Sequence, residues 1–136
     1  MNIYFACSIT GGRRDETVYQ QFVAALLAAG HEVPTQRLAS PEAMADEASL
    51  GPQEIYRRDT AWIDGCDLLL AEVSTPSHGV GYEIAYALGQ GKRAICMHRA
   101  GVKVSKMITG NPDTNLTIFA YATPDEAMLW LAKTLE

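Results

Sequence analysis

The run from Asp67 to Ser74, with Leu68-Leu69-Leu70-Ala71 at its centre, is the feature that most constrains the fold. An apolar stretch this short and this continuous has no polar face to leave in water, so it reads as a strand covered on both sides. A strand covered on both sides needs helices above and below it, and the rest of the chain supplies them in alternation. Asn2 to Ile9 is a β-forming run that ends in a turn at Thr10-Gly11-Gly12. From Asp15, the residues Val18, Phe22, Ala25, Leu26 and Ala29 recur at helical spacing until Gly30, a natural stop. A second strand is expected at His31 to Thr35, interrupted by Pro34 as a sheet edge tolerates.

Arg37 to Pro52 has no strong period and reads as a surface loop or short helix able to move over a site. Glu54 to Cys66 is helical, with Ile55, Trp62, Ile63 and Cys66 on one stripe. Val80 to Gly89 is a buried helix, Arg93 to His98 and Leu116 to Tyr121 are further strands, and Thr123-Pro124-Asp125-Glu126 opens a final helix with a capping box. Alternation of this kind predicts an α/β fold: a single-domain, doubly wound, parallel five-stranded sheet of flavodoxin-like or Rossmann-like order 2-1-3-4-5 over residues 1–136. Ligands of such sheets sit beyond the carboxyl ends of the strands where the order reverses, which points to the loops Cys7 to Arg14 and Ser74 to Gly81.

With 136 residues there is room for one apolar core and not for two domains. The formal net charge is −5, so a surface for nucleic acid or anionic membrane is not expected. No run approaches the roughly 20 apolar residues of a membrane-spanning helix. Met1-Asn2-Ile3-Tyr4-Phe5 reads as a strand and not as a signal peptide, and Cys7, Cys66 and Cys96 form no C-x-x-C pair. A cytoplasmic protein with reduced thiols is the expectation.

Asp59 falls on the stripe shared by Ile55 and Ile63, where a carboxylate is costly. Desolvation there raises a carboxyl's pKa toward what a general acid needs at neutral pH; a structural hydrogen bond to a loop is the alternative reading. Glu83 is the second buried acid. Placed in the first turn of its helix, it is expected to be held ionised by the positive end of the helix dipole, or simply to pair with that dipole. One acid protonated and one ionised is the pattern of a retaining glycosidase, whose carboxyls stand about 5–5.5 Å apart. Ser77-His78-Gly79-Val80-Gly81 lets backbone N–H groups approach an anion at the helix start, yet it has neither the lysine of a P-loop nor the dinucleotide glycine spacing. Arg13 and Arg14 are either a second phosphate contact or solvated. Tyr4 could reach a carboxylate near the sheet centre or be an ordinary core tyrosine. Glu72 is a weaker catalytic candidate, since a strand-end acid often binds a neighbouring loop. The scattered histidines give no metal-ligand pattern, and Cys7 lacks an adjacent base.

Read in order, these residues resemble the 2′-deoxynucleoside 5′-phosphate N-hydrolases, a branch of the nucleoside 2-deoxyribosyltransferase superfamily. The resemblance covers nearly the whole chain. It rests on Tyr4-Phe5 through Ser8-Ile9, Gly11-Gly12-Arg13, Asp59 with Trp62, Ala71-Glu72-Val73, and most specifically Pro76-Ser77 through Gly79-Val80-Gly81-Tyr82-Glu83. Ser105 followed by Met107-Ile108 is similar to a segment that crosses a dimer interface in that family. Cys7, Thr10 and His78 stand where animal members of the family carry glycine, arginine and leucine.

The resemblance implies hydrolysis of the N-glycosidic bond of a deoxynucleoside 5′-monophosphate, without metal or organic cofactor. Glu83 would be the nucleophile, Asp59 the acid at the departing base, and Tyr4 the hydroxyl that positions Glu83. Ser77, Gly79 and, from the partner of a homodimer, Ser105 would hold the phosphate. Ser8, Ile9, Thr10, Gly11, Gly12, Arg13, Gly81 and Met107 would complete the substrate contacts. Three other readings stay open: a nucleoside 2-deoxyribosyltransferase, a ribonucleotide N-ribosidase acting on cytidine monophosphate or a relative, and a nucleotide-binding sensor without turnover. A cytokinin-activating type of phosphoribohydrolase is set aside because its Pro-Gly-Gly motif is absent.

Overall fold

A computed structural model describes residues 1–136. Four parallel strands, β1 (Ile3–Ala6), β2 (Leu68–Glu72), β3 (Arg93–Arg99) and β4 (Leu116–Tyr121), form one sheet in the order β1-β2-β3-β4. The apolar run at Leu68 is central, as its composition requires, with all of β2 buried. Side chains alternate across the sheet. Ile3, Phe5, Leu68, Leu70, Ile95 and Met97 face one apolar core with α1 (Glu16–Ala28) and α6 (Pro124–Leu135). Tyr4, Ala6, Leu69, Ala71, Ala94 and Cys96 face the other with α3 (Pro52–Gly65) and α4 (His78–Gly89).

This corrects the expected five-stranded order 2-1-3-4-5. Where the second strand was expected, Glu32 makes a single parallel bridge to Asn2, its carbonyl accepting the Ile3 N–H at 2.8 Å. Pro34 then has no N–H to extend a ladder. The Thr35 side chain does the next strand's work: its hydroxyl accepts the Phe5 N–H at 2.9 Å and donates to the Phe5 carbonyl at 2.8 Å. The sheet edge is thus finished by a hydroxyl, and a strand does not form there.

The helix boundaries follow local chemistry. α1 ends where Gly30 adopts φ 81°, and the amides of Gly30 and His31 return to the carbonyls of Leu27 and Leu26, a glycine-dependent stop. Thr123 caps α6 by accepting the Glu126 N–H at 3.2 Å. The unperiodic stretch after Thr35 holds a 3-10 turn over Gln36–Ala39 and a short helix α2 (Ala43–Ala48); Leu38, Ala39 and Ala43 are buried in it. One more short helix, α5 (Lys106–Thr109), precedes β4. No helix is long and apolar enough to cross a membrane.

The site follows from this topology. β1 and β2 are neighbours, with Ala6 opposite Ala71, but the chain leaves β1 for α1 on one face and β2 for α4 on the other. A crevice opens at their carboxyl ends.

Candidate active site

Three elements deliver one polar side chain each to the α3–α4 side of this crevice. Tyr4, fully buried on β1, donates its hydroxyl to Glu83 Oε1 on α4 at 2.9 Å. Asp59 on α3 lies close enough for its charge to bear on both Tyr4 and Glu83. Arg58 donates through Nε to Asp59 Oδ1 at 2.7 Å and through its terminal nitrogen to Glu47 Oε1 of α2 at 2.9 Å. Its guanidinium lies over the Trp62 ring, 4.9 Å from the centroid.

Burial pushes the Glu83 carboxyl up to about 8; the Tyr4 hydrogen bond favours the ionised form, while Asp59 and Glu47 oppose it. Burial also raises Asp59, against which the Arg58 hydrogen bond and charge pull down. The expectation that the helix dipole holds Glu83 ionised is therefore corrected. α4 starts at His78 instead of Val80, so Glu83 stands in the second turn, beyond the reach of the dipole's end. Its ionised form leans on Tyr4.

The nucleoside 2-deoxyribosyltransferase family model matches residues 3–126, which include every polar group just described. This chain belongs to that family. Among its relatives, a mouse (Mus musculus) 5-hydroxymethyl-dUMP N-hydrolase is 39% identical over 134 residues, covering 94% of this chain and 77% of the mouse protein. Its counterpart in Danio rerio is 41% identical over 114 residues, covering 81% of this chain and 78% of that one. Among solved structures, a Clostridium botulinum CMP N-glycosidase superposes with a TM-score of 0.73 at 20% identity, over 97% of this chain and 99% of the other; the fold is shared.

The remaining candidates of this nucleoside 2-deoxyribosyltransferase family member lie in the two loops and on α5. Ser8 is fully buried, with no protein partner for its hydroxyl. Gly11 packs so tightly that a Cβ there would stand 2.3 Å from the Pro76 carbonyl oxygen, and Gly12 sits at φ 123°. Ile9 is half-buried; Thr10 and Arg14 are exposed. Arg13 turns inward. It donates to the carbonyls of Ser8, Leu38 and Ser40 and to Glu16, so its guanidinium already braces the loop after β1. Cys7 lies beneath it, its thiol pushed up to about 12 by burial against the opposing pull of Arg13.

Ser77 caps α4 by accepting the Val80 N–H at 3.3 Å, and Gly79 sits exposed in the first turn. Ser77, Gly81, Ser105 and Met107 line a cavity of about 480 Å³ between α4 and α5. That cavity lies on the Gly81–Ala85 side of α4, whereas Glu83 leaves the helix toward β1. Within one chain, then, the structure does not bring Ser105 to Glu83. Glu72 is bound by Ser74 and Tyr121, the loop-binding alternative for a strand-end acid.

Sequence reasoning missed Arg58 and Glu47. Arg58 had a signal, since an arginine four residues before Trp62 on one helix places cation over ring. Glu47 had none, because it reaches Asp59 only through tertiary packing.

Proposed function

We propose that this chain hydrolyses the N-glycosidic bond of 2′-deoxynucleoside 5′-monophosphates, releasing a free base and 2-deoxyribose 5-phosphate. The observation that carries the reading is the Tyr4–Glu83 hydrogen bond with Asp59 alongside. The names of the mouse and zebrafish relatives, N-hydrolases of a deoxynucleoside monophosphate, agree with it.

In this mechanism Tyr4 holds Oε1 of Glu83 and leaves Oε2 to attack C1′. The C1′–N bond breaks as the C1′–O bond to Glu83 forms, and Asp59 gives its proton to the departing base. The Asp59 carboxylate then takes a proton from water, whose oxygen displaces Glu83 at C1′, so configuration is retained. Side chains and water supply every proton in the cycle.

Ser77, Gly79 and Gly81 at the start of α4 would receive the phosphate, favoured by the positive end of the helix, where the first-turn N–H groups before Val80 have no intrahelical acceptor. Ser8, Ile9, Thr10, Gly11, Gly12 and Arg13 would shape the opposite wall. Ser105 and Met107 are assigned to the site of a second copy in a homodimer. The exposure of Met107 (85%) and the exposed Tyr56 and Tyr82 pair on the α3–α4 face support such an interface. Residues 1–136 act in this reading as one domain, and the three free cysteines suit a reducing cytoplasm.

The test is base release from deoxynucleoside monophosphates, matching ribonucleotides and unphosphorylated deoxynucleosides, with and without added free base. Release from the deoxymonophosphates, with at least about a thousand-fold loss in Glu83→Ala, is the expected result. Exchange that needs an acceptor base would make it a transferase instead. Turnover unchanged by Glu83→Ala would end the mechanism.

A further inference from the structure

Two buried acids take no part in the mechanism above. Glu72 closes β2 at 1% exposure, and Asp15 precedes α1 at 4%. Each is spent on one of two consecutive loop residues, Glu72 on Ser74 and Asp15 on Thr75, themselves buried although polar. Ser74 Oγ donates to Glu72 Oε1 at 2.5 Å and accepts the Arg99 N–H at 2.8 Å. Tyr121 from β4 donates to the same Glu72 oxygen at 2.9 Å. Thr75 Oγ1 donates to Asp15 Oδ2 at 2.8 Å, and the other Asp15 oxygen is paired with the Arg99 guanidinium.

Since Ser74 and Thr75 are consecutive, these contacts close a ring: Ser74, Arg99, Asp15, Thr75 and back through the chain, with Glu72 and Tyr121 braced on it. The next residue, Pro76, has its carbonyl pressed against Gly11, and the one after that is Ser77, the cap of α4. A loop joining a strand to a helix needs none of this to turn. Burying two acids is costly unless they are paired, and here each is paired with the segment that leads into the α4 start.

We infer that Thr75, held by Asp15, is a positioning residue for the substrate's phosphate: the ring fixes the start of α4, and with it Glu83 on the same helix, against the loop after β1 that forms the opposite wall, so that a phosphate seated there brings C1′ to the nucleophile. The inference rests on the proposed N-hydrolase reading and adds to it the residues that link phosphate binding to chemistry. Binding energy from a remote phosphate speeds the reaction only if the two walls that hold the sugar phosphate keep a fixed spacing, and the ring supplies that spacing.

The experiment uses the full chain with Thr75→Val, which keeps the shape and removes the hydroxyl, and Thr75→Ser, which keeps the hydroxyl. Rates are measured on a deoxynucleoside 5′-monophosphate and on the same nucleoside without phosphate, with melting temperatures alongside. The expected result for Thr75→Val is a fall in kcat/KM of about ten- to a hundred-fold on the monophosphate, the scale of one lost hydrogen bond to a charged group. Less than about three-fold change on the nucleoside, and recovery in Thr75→Ser, complete the expectation. Equal losses on both substrates, or no loss on either, overturn it.

Calorimetric binding of 2-deoxyribose 5-phosphate to wild type and Thr75→Val separates this inference from the activity it rests on. A wild type that binds the sugar phosphate without turning over nucleotide refutes the N-hydrolase reading alone, and weaker binding by Thr75→Val then supports the ring. Equal binding by the two proteins, or none by wild type, refutes the ring.

Discussion

At the scale of single residues, the site is governed by one hydroxyl and two carboxyls. Tyr4 is the main group that favours ionised Glu83, with the Arg58 charge adding to it, so Tyr4→Phe should shift the acid limb of kcat/KM to higher pH, above the region near 8 set by burial. It should also lower the maximal rate about ten- to a hundred-fold; a pH–rate profile of the variant against wild type reads both, and an unmoved limb contradicts the role. Stability follows from the same carboxyl. Its folded pKa lies above the unfolded one, so the native state binds the extra proton, and Glu83 destabilises the fold progressively as pH rises from the ordinary carboxylate range through about 8. Glu83→Gln should therefore raise Tm more at pH 9 than at pH 5, by about 2–5 °C at the higher pH, in paired thermal melts. Asp59 and Glu83 were legible in the sequence because a charge on an apolar helical stripe is conspicuous. The electrostatics were not, because they turn on where α4 begins and on Glu47, whose approach to Arg58 no local pattern encodes.

At the scale of elements, the central strand and the helices flanking it were readable because continuous apolarity and 3.6-residue periodicity are local signals. The expected strand at His31 to Thr35 failed on two of its own residues. Pro34 cannot donate to a ladder, and Thr35 satisfies Phe5 with its side chain. Thr35→Val is close to isosteric but leaves the Phe5 N–H and carbonyl unpaired in a buried setting. It should lower unfolding free energy by about 1–3 kcal/mol, read by urea denaturation, with Thr35→Ser near wild type. Gly30→Ala places a side chain at φ 81° and should cost about 1 kcal/mol by the same assay, since nothing crowds the Cβ and only the backbone is strained.

At the scale of the whole molecule, the residues assigned to one active site lie on two sides of α4: Glu83 toward β1, Ser105 and Met107 along the opposite cavity. In the proposed homodimer a second copy would resolve that separation. Glu83→Ala and Ser105→Ala chains, each nearly inactive alone, should regain up to about a quarter of wild-type turnover after mixing and subunit exchange, because a mixed pair holds one site with both groups intact. Activity that stays at the sum of the two parents argues for self-contained sites. The finish of the sheet also sets how copies can meet. Along the outer side of β1, the Ile3 amide is taken by Glu32 and both Phe5 backbone groups by Thr35, so that border has no strand amide left to donate to a foreign strand. Continuous sheets through β1 are closed to this molecule, association is directed to its helical faces, and a slip toward fibrous stacking has only the β4 border from which to start.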